Sequence, residues 1–369
     1  MYAHQSLQDL LFLLLYGGVA ILALVASVYI GLRRNNAFSN DVDPPKSLRV
    51  WTAIFFATSA LSHVWWYVLG VYWLTDDRLI RNIVAVGLDH VTLVPFVMAM
   101  LLRMLQDRCR KLWPWFLAQV PTVAMAVAGI VNHYADCLDV IHYWQVAVIV
   151  SFVVYYIFAL VHYGRWLREN YADLEHKEVW QSLLFMIFLF VVYEVYSTNP
   201  GVMSREYMAQ FNTIFIILFL LWRVESLQEL DVKEEEECVH EGKTEANMQN
   251  MSIPSNIGPL LQRYCEESEL YLKHDLTLSQ LSEKLGTNRT YLSAYFVQQG
   301  ITYNNYINGL RINYFERIYR LNRKELRFFS AQQLALKSGF RSYSTFAAAF
   351  KLFKGQTVTS WMKEQVVDS

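Results

Sequence analysis

The stretch Thr277-Leu278-Ser279-Gln280-Leu281-Ser282-Glu283-Lys284-Leu285-Gly286-Thr287-Asn288-Arg289-Thr290-Tyr291-Leu292-Ser293-Ala294-Tyr295-Phe296 reads as a helix, a glycine turn and a second helix. Thr277-Leu278-Ser279 supplies a hydroxyl-rich helix start. Leu278, Leu281 and Leu285 recur at helical spacing and give one apolar stripe. Gly286-Thr287-Asn288 breaks the helix, because glycine admits the backbone angles of a tight turn. The second helix, 289–298, turns Leu292, Tyr295 and Phe296 inward and leaves Arg289, Thr290, Ser293 and Gln298 facing out. The arrangement recurs downstream. Ser330 opens a helix with Leu334 and Ala335, Gly339-Phe340-Arg341 makes the turn, and Ser342 opens a helix through Ser344, Phe346, Phe350 and Phe353. A helix, a glycine turn and a polar-faced second helix is the geometry that seats a recognition helix in a major groove.

The connector, 302–321, carries Tyr306, Ile307, Leu310, Ile312, Phe315, Ile318 and Tyr319 at helical spacing. As one helix of about 18–20 residues it spans ~28 Å. Successive major-groove faces on one side of a duplex lie ~34 Å apart. A rigid rod of this length would hold both units against one face of DNA. From residue 255 onward there are fifteen Lys/Arg against nine Asp/Glu, although the whole chain has a formal net charge of −1. A basic patch attracts phosphates regardless of sequence, while base edges supply specificity. The bland alternative is a solvated basic face on a protein-binding domain.

These residues resemble the AraC (arabinose-regulator) family of transcription factors. The resemblance rests on Leu281-Ser282-Glu283-Lys284-Leu285-Gly286, Tyr291-Leu292-Ser293 with Phe296, Gly300, Tyr306-Ile307 and Leu310-Arg311-Ile312. It continues through Ala335, Ser338-Gly339-Phe340, Ser342-Tyr343-Ser344, Phe346, Phe350-Lys351 and Gly355. Three positions depart from the family pattern. Alanine is usual where Phe315 stands, a threonine-proline pair where Thr357-Val358 stands, and tyrosine-arginine where Trp361-Met362 stands. The resemblance implies sequence-specific binding of double-stranded promoter DNA, with RNA polymerase as a further partner. The DNA contacts expected are Arg289, Thr290, Ser293 and Gln298 in the first recognition helix and Arg341, Ser342, Ser344 and Thr345 in the second. Lys351 and Lys354 are expected on phosphates.

The preceding two thirds of the chain is different in kind. Hydrophobic residues make up 54% and aromatics 15% of the chain, and the apolar ones are concentrated before residue 225. Seven apolar runs, at 10–32, 50–74, 83–105, 113–132, 141–166, 180–197 and 211–224, are each compatible with the ~20 residues of a membrane helix. The first run has no basic residue ahead of it. The first positive side chain is Arg33, which favours a retained span over a cleaved signal peptide. With the N-terminus outside, the inner loops carry eleven Lys/Arg (Arg33 to Lys177) and the outer loops three, Arg78, Arg81 and Arg205. That is a positive-inside bias, and seven spans deliver residue 225 to the cytoplasm. The expected fold is all-α: a seven-helix transmembrane bundle, 1–225, an acidic flexible linker, 226–255, and a cytoplasmic AraC-like double helix-turn-helix domain, 256–369. The linker holds Glu234-Glu235-Glu236-Glu237 and reads as a solvated tether.

Ionisable groups within spans are costly and therefore functional candidates. They are His63, Asp89, His90 and Glu194, near Trp65, Trp66, Tyr67, Tyr193 and Tyr196. Acids among aromatics suit a pocket for a small-molecule or membrane-derived ligand, polar or cationic. A hydrogen-bonded packing pair beside an interfacial aromatic belt is the structural alternative. The nine histidines and four cysteines form no spacing that argues for a metal, and no disulfide framework is implied. No phosphate-cradling loop or nucleophile elbow is present, so neither catalytic residues nor a cofactor is expected. The reading is a membrane-embedded one-component regulator, homodimeric, in a bacterial inner membrane. Its rival is a membrane receptor or transporter whose C-terminal domain binds a protein.

Overall fold

The computed structural model describes residues 7–33, 36, 43–71, 77–134, 136–175, 177–197, 203–230, 254, 256–324 and 329–367. The expected all-α class is borne out. Among the described residues regular structure is helical, apart from one isolated antiparallel bridge between Tyr171 and Thr277. The chain forms two compact units: Met1–His162 with Val179–Val232, and Tyr163–Glu178 with Lys233–Ser369. The acidic run of the expected linker lies outside the described residues.

The first unit contains α1 (Leu7–Leu32), α2 (Lys46–Val71), α3 (Arg78–Arg103), α4 (Trp113–Leu117), α5 (Val120–Asn132), most of α6 (Cys137–Asn170), α7 (Trp180–Ser197) and α8 (Met203–Ser226). Among the described residues six stretches are long and apolar enough to cross a membrane; the fourth is α4 and α5 together. Of the sixth of the seven expected runs, Trp180–Val191 is an apolar helical stretch, and the side chains of 192–197 lie outside the described residues. The fourth is interrupted because Pro121 stands in the first turn of α5, where proline tolerates a helix start but not a helix interior.

This unit buries polar residues alongside its apolar core and exposes many large apolar ones. Thr52, Ser62, Thr122 and Gln145 are buried, whereas Leu14 is 65% and Phe158 72% exposed. Exposed apolar faces on this scale fit hydrocarbon rather than water, and small or polar residues inside let helices approach and bond. Gln145 donates to Gln119 Oε1 (2.6 Å) and Thr122 Oγ1 (2.7 Å), and Ser27 donates to the Ala53 carbonyl (2.7 Å). Helix α6 runs for 34 residues, about 51 Å at 1.5 Å per residue. A bilayer core is ~30 Å thick. The helix is longer than that thickness, and Tyr163 onward belongs to the second unit.

The second unit continues with α9 (Ile257–Leu261), a π turn (Gln262–Glu266) and a 3₁₀ turn (Leu270–Leu272). Two helix pairs follow, α10 (Leu278–Lys284) with α11 (Arg289–Gln298), and α13 (Ala331–Lys337) with α14 (Tyr343–Lys354). They are joined by α12 (Tyr303–Lys324), and α15 (Val358–Val367) follows the second pair. Each helix of the pairs is capped by the residue its sequence offers. Thr277, Asn288, Ser330 and Ser342 all accept from a backbone N–H in the following turn, and Ser330 with Gln333 completes a capping box.

Each pair packs on its own half of α12. Leu278, Leu281, Leu292 and Phe296 meet Tyr303 and Ile307, while Leu334, Phe340, Phe346 and Phe350 meet Ile312, Phe315 and Tyr319. Two departures from the family pattern lie together here. The ring of Phe315 is 4.4 Å from Phe346 and 6.2 Å from Trp361, between centroids. The larger residue in the rod and the larger residue in α15 thus share one aromatic cluster.

The halves are fastened to one another by Arg311, which is 1% exposed. It donates to the carbonyls of Tyr271 (2.7 Å), Lys273 (2.7 Å) and His274 (3.1 Å), and its guanidinium lies over the Phe340 ring. Gly339 completes the fastening. It has φ +86°, and a Cβ there would meet the Leu272 Cα and carbonyl oxygen at 2.8 Å.

Candidate nucleic-acid interface

The rod α12 has 22 residues, about 33 Å long, and carries one helix pair on each half. α11 and α14 bury their apolar faces against it and leave polar residues at their N-terminal ends. Thr290 and Ser293 are half-buried and Ser344 exposed, whereas the expected contact Gln298 is exposed at the opposite, C-terminal end of α11. Ser342 is engaged in capping, with its hydroxyl also 2.8 Å from that of Ser344 and 3.0 Å from that of Thr345.

The cations of the expected interface are less available than their sequence positions imply. Lys351 is exposed. Lys354 pairs with Glu316 of the rod at 2.6 Å, and Arg341 with Asp275 at 3.6 Å. Arg289 donates from Nε (3.1 Å) and Nη2 (2.7 Å) to Asn170 Oδ1, and Thr345 donates to Glu175 Oε2 (3.1 Å). Both of these partners come from the segment 163–178, which is part of this unit. The segment is seated by more than side chains. Ala172 is 1% exposed within the core of the first pair, and its N–H points at the Leu276 carbonyl (3.4 Å). Asn304 of the rod donates to the carbonyls of Tyr171 (3.2 Å) and Ala172 (2.7 Å). Lys177 lies 3.8 Å from Asp275. Burial pushes the Asp173 carboxyl up and the Lys177 ammonium down, each partly countered by the other's charge.

The first unit contains a cavity of about 200 Å³. Its polar end has Asp89, His63, Gln210 and Tyr16; Leu93, Val97, Leu189, Phe190 and Ile217 line the rest. Asp89 accepts from Ser62 (2.7 Å), Trp65 (3.0 Å) and Trp66 (2.6 Å). His63 Nε2 lies 3.1 Å from Gln210 Oε1, and its Nδ1 2.8 Å from the Ser59 carbonyl. His63 and Asp89 thus line the same cavity. His90 is not among the lining residues. One position along a helix turns a side chain by about 100°, and its ring bonds back to the Val86 carbonyl. The side chain of Glu194 lies outside the described residues.

Over 98 residues, 26% of its length, the chain is 31% identical to uncharacterized HTH-type transcriptional regulators of Staphylococcus aureus strains COL, MSSA476 and MRSA252. Part of this chain is similar to transcriptional regulators. The chain spans 12% of the length of these relatives. No family model and no solved structure matches it.

Sequence reasoning missed Asn170 and Glu175, which bond Arg289 and Thr345, and Asn304, which seats their segment. Asn170 ends α6 and Glu175 lies in the charged connection that follows it, where only the basic residues carry a recognisable sequence signal. Their partners lie more than a hundred positions away in the chain, and no local periodicity links them.

Proposed function

We propose that the protein is a membrane-embedded one-component transcription regulator, with no catalytic step of its own. Its two helix pairs act as helix-turn-helix units of the AraC type on double-stranded promoter DNA. The single observation that carries this reading is the 22-residue rod, which carries a capped helix pair on each of its halves. The similarity to HTH-type regulators supports it. Arg289, Thr290, Ser293 and Gln298 read one major-groove face and Arg341, Ser342, Ser344 and Thr345 the next, with Lys351 and Lys354 on phosphates. Arg289, Thr345, Arg341 and Lys354 must exchange their present partners for DNA.

The apolar helices anchor the chain in a bacterial inner membrane, N-terminus outside and DNA-binding domain in the cytoplasm, as the loop charges favour. Two copies on adjacent half-sites would raise the effective concentration of the paired domains, and bound copies would sit within reach of RNA polymerase. The cavity at Asp89 is the sensory site in this reading. A carboxylate at one end, no Lys or Arg among the lining residues and an apolar far end suit a small amphiphile with a cationic or hydrogen-bond-donating head.

The test is retardation of duplex DNA by the full-length protein in lipid nanodiscs across a salt series. Binding that weakens steeply with salt supports the reading, because counterion release scales with phosphate contacts. No binding at low salt, with capture of a protein partner instead, would establish the receptor or transporter alternative.

A further inference from the structure

The segment that joins α6 to α7 occupies both recognition helices at once. Asn170 takes two of the N–H groups of Arg289 on α11, and Glu175 takes the Thr345 hydroxyl on α14. A guanine edge is read by two N–H groups of one guanidinium held in a planar fork. Arg289 cannot give Nε and Nη2 to Asn170 and to a base together. The Glu175 carboxylate also places negative charge beside α14, where a phosphate backbone would have to approach.

The occupation is built into the fold rather than laid on its surface. Tyr171 pairs with Thr277, the cap of α10. Ala172 is a member of the first pair's apolar core, and Asn304 holds two successive carbonyls of the segment. The same residues are the covalent connection between two apolar helices, so a change in the spacing of α6 and α7 must pull on them.

We propose that residues 170–175 form an autoinhibitory clasp on the two recognition helices. DNA binds the protein only when Asn170 and Glu175 have let go, and a rearrangement of α6 against α7 opens the clasp. This rests on the reading of α11 and α14 as DNA-binding helices. With the clasp closed in most molecules, the apparent affinity for DNA is the intrinsic affinity reduced by the open fraction. Weakening the clasp therefore tightens DNA binding, although it removes bonds and adds none to DNA. A merely structural role for the segment would give the opposite sign.

The experiment uses the full chain in nanodiscs and a labelled duplex of random sequence, about 40 base pairs or four helical turns, at low salt. The release variant is Asn170→Ala with Glu175→Gln. The lock is Tyr171→Cys with Thr277→Cys, since residues paired across an antiparallel bridge have the Cα separation a disulfide needs. It is placed in a background with Cys109→Ser and Cys238→Ser, and its reduced form is its own folding control. The release variant is expected to bind at least about tenfold more tightly than the wild type. The oxidised lock is expected to lose DNA, and reductant to restore it. A release variant that binds equally or more weakly, or an oxidised lock that binds like its reduced form, overturns the clasp while DNA binding stands. No binding by the wild type, the release variant or the reduced lock overturns the DNA-binding reading and the clasp with it.

Discussion

Replacing Arg311 by methionine keeps most of the side chain's volume and removes its charge and donors. In the native unit that guanidinium is 1% exposed and serves three carbonyls, those of Tyr271, Lys273 and His274. Burial lowers its pKa to about 10, so it is charged at neutral pH and the three bonds are charge-assisted. Each such bond contributes about 1.5–3 kcal/mol, and its loss leaves a buried carbonyl without a donor. Against this, methionine no longer has to desolvate a charge, which itself costs several kcal/mol. The net loss is about 3–4 kcal/mol. At 1.4 kcal/mol per factor of ten, that makes opening roughly a hundred to a thousand times more frequent. Hydrogen exchange read by mass spectrometry on the full chain in nanodiscs reports it peptide by peptide. Amides of α10 and α12 should exchange faster by that factor, while those of α1 and α2 stay unchanged. Exchange in α12 within about threefold of the wild type would refute the view that Arg311 fastens the two helix pairs.

Gly339→Ala should destabilise the same unit by at least about 2 kcal/mol, since φ +86° disfavours a Cβ and Leu272 backbone atoms stand 2.8 Å from where it would be; thermal unfolding with the wild type alongside checks it. Lys351→Ala should flatten the salt dependence of DNA binding by about one unit of slope on all sequences alike, whereas Arg341→Ala should relax preference at one base position; a salt series on specific and scrambled duplexes separates them. Asp89→Asn should abolish a saturable change in tryptophan fluorescence on adding octylamine and leave octanoate without effect in either protein, because Trp65 and Trp66 both donate to that carboxylate; an equal response in the variant would remove Asp89 from the site. Cys265 should resist iodoacetamide at mildly alkaline pH while Cys109 reacts, since burial pushes the Cys265 thiol up to about 12 and Cys109 is exposed; peptide mapping distinguishes the two.

The second unit was legible in the sequence wherever local chemistry decides structure. Thr277, Ser330 and Ser342 announce helix starts and serve as caps, and Gly339 marks a turn that only a residue without a Cβ can make. The rod was legible from its apolar period, although it extends to Lys324. Phe315 and Trp361, taken singly, read as departures from a family pattern; their shared cluster needs the fold to bring α12 and α15 together. The clasp was not legible, because Arg289 and Asn170 are 119 residues apart and nothing in either neighbourhood names the other. The apolar first unit was legible in composition but not in detail. Hydropathy marks apolar runs, yet it could not tell that Asp89 lines a cavity and that the adjacent His90 does not.

The most direct test of the account is crosslinking of DNA to the full-length protein in its own membranes, followed by genome-wide sequencing. The account predicts discrete sites with a two-part motif whose halves lie about one helical turn apart, and stronger occupancy of those sites by the Asn170→Ala, Glu175→Gln protein. No enrichment above input by either protein, with both inserted and abundant, would contradict it.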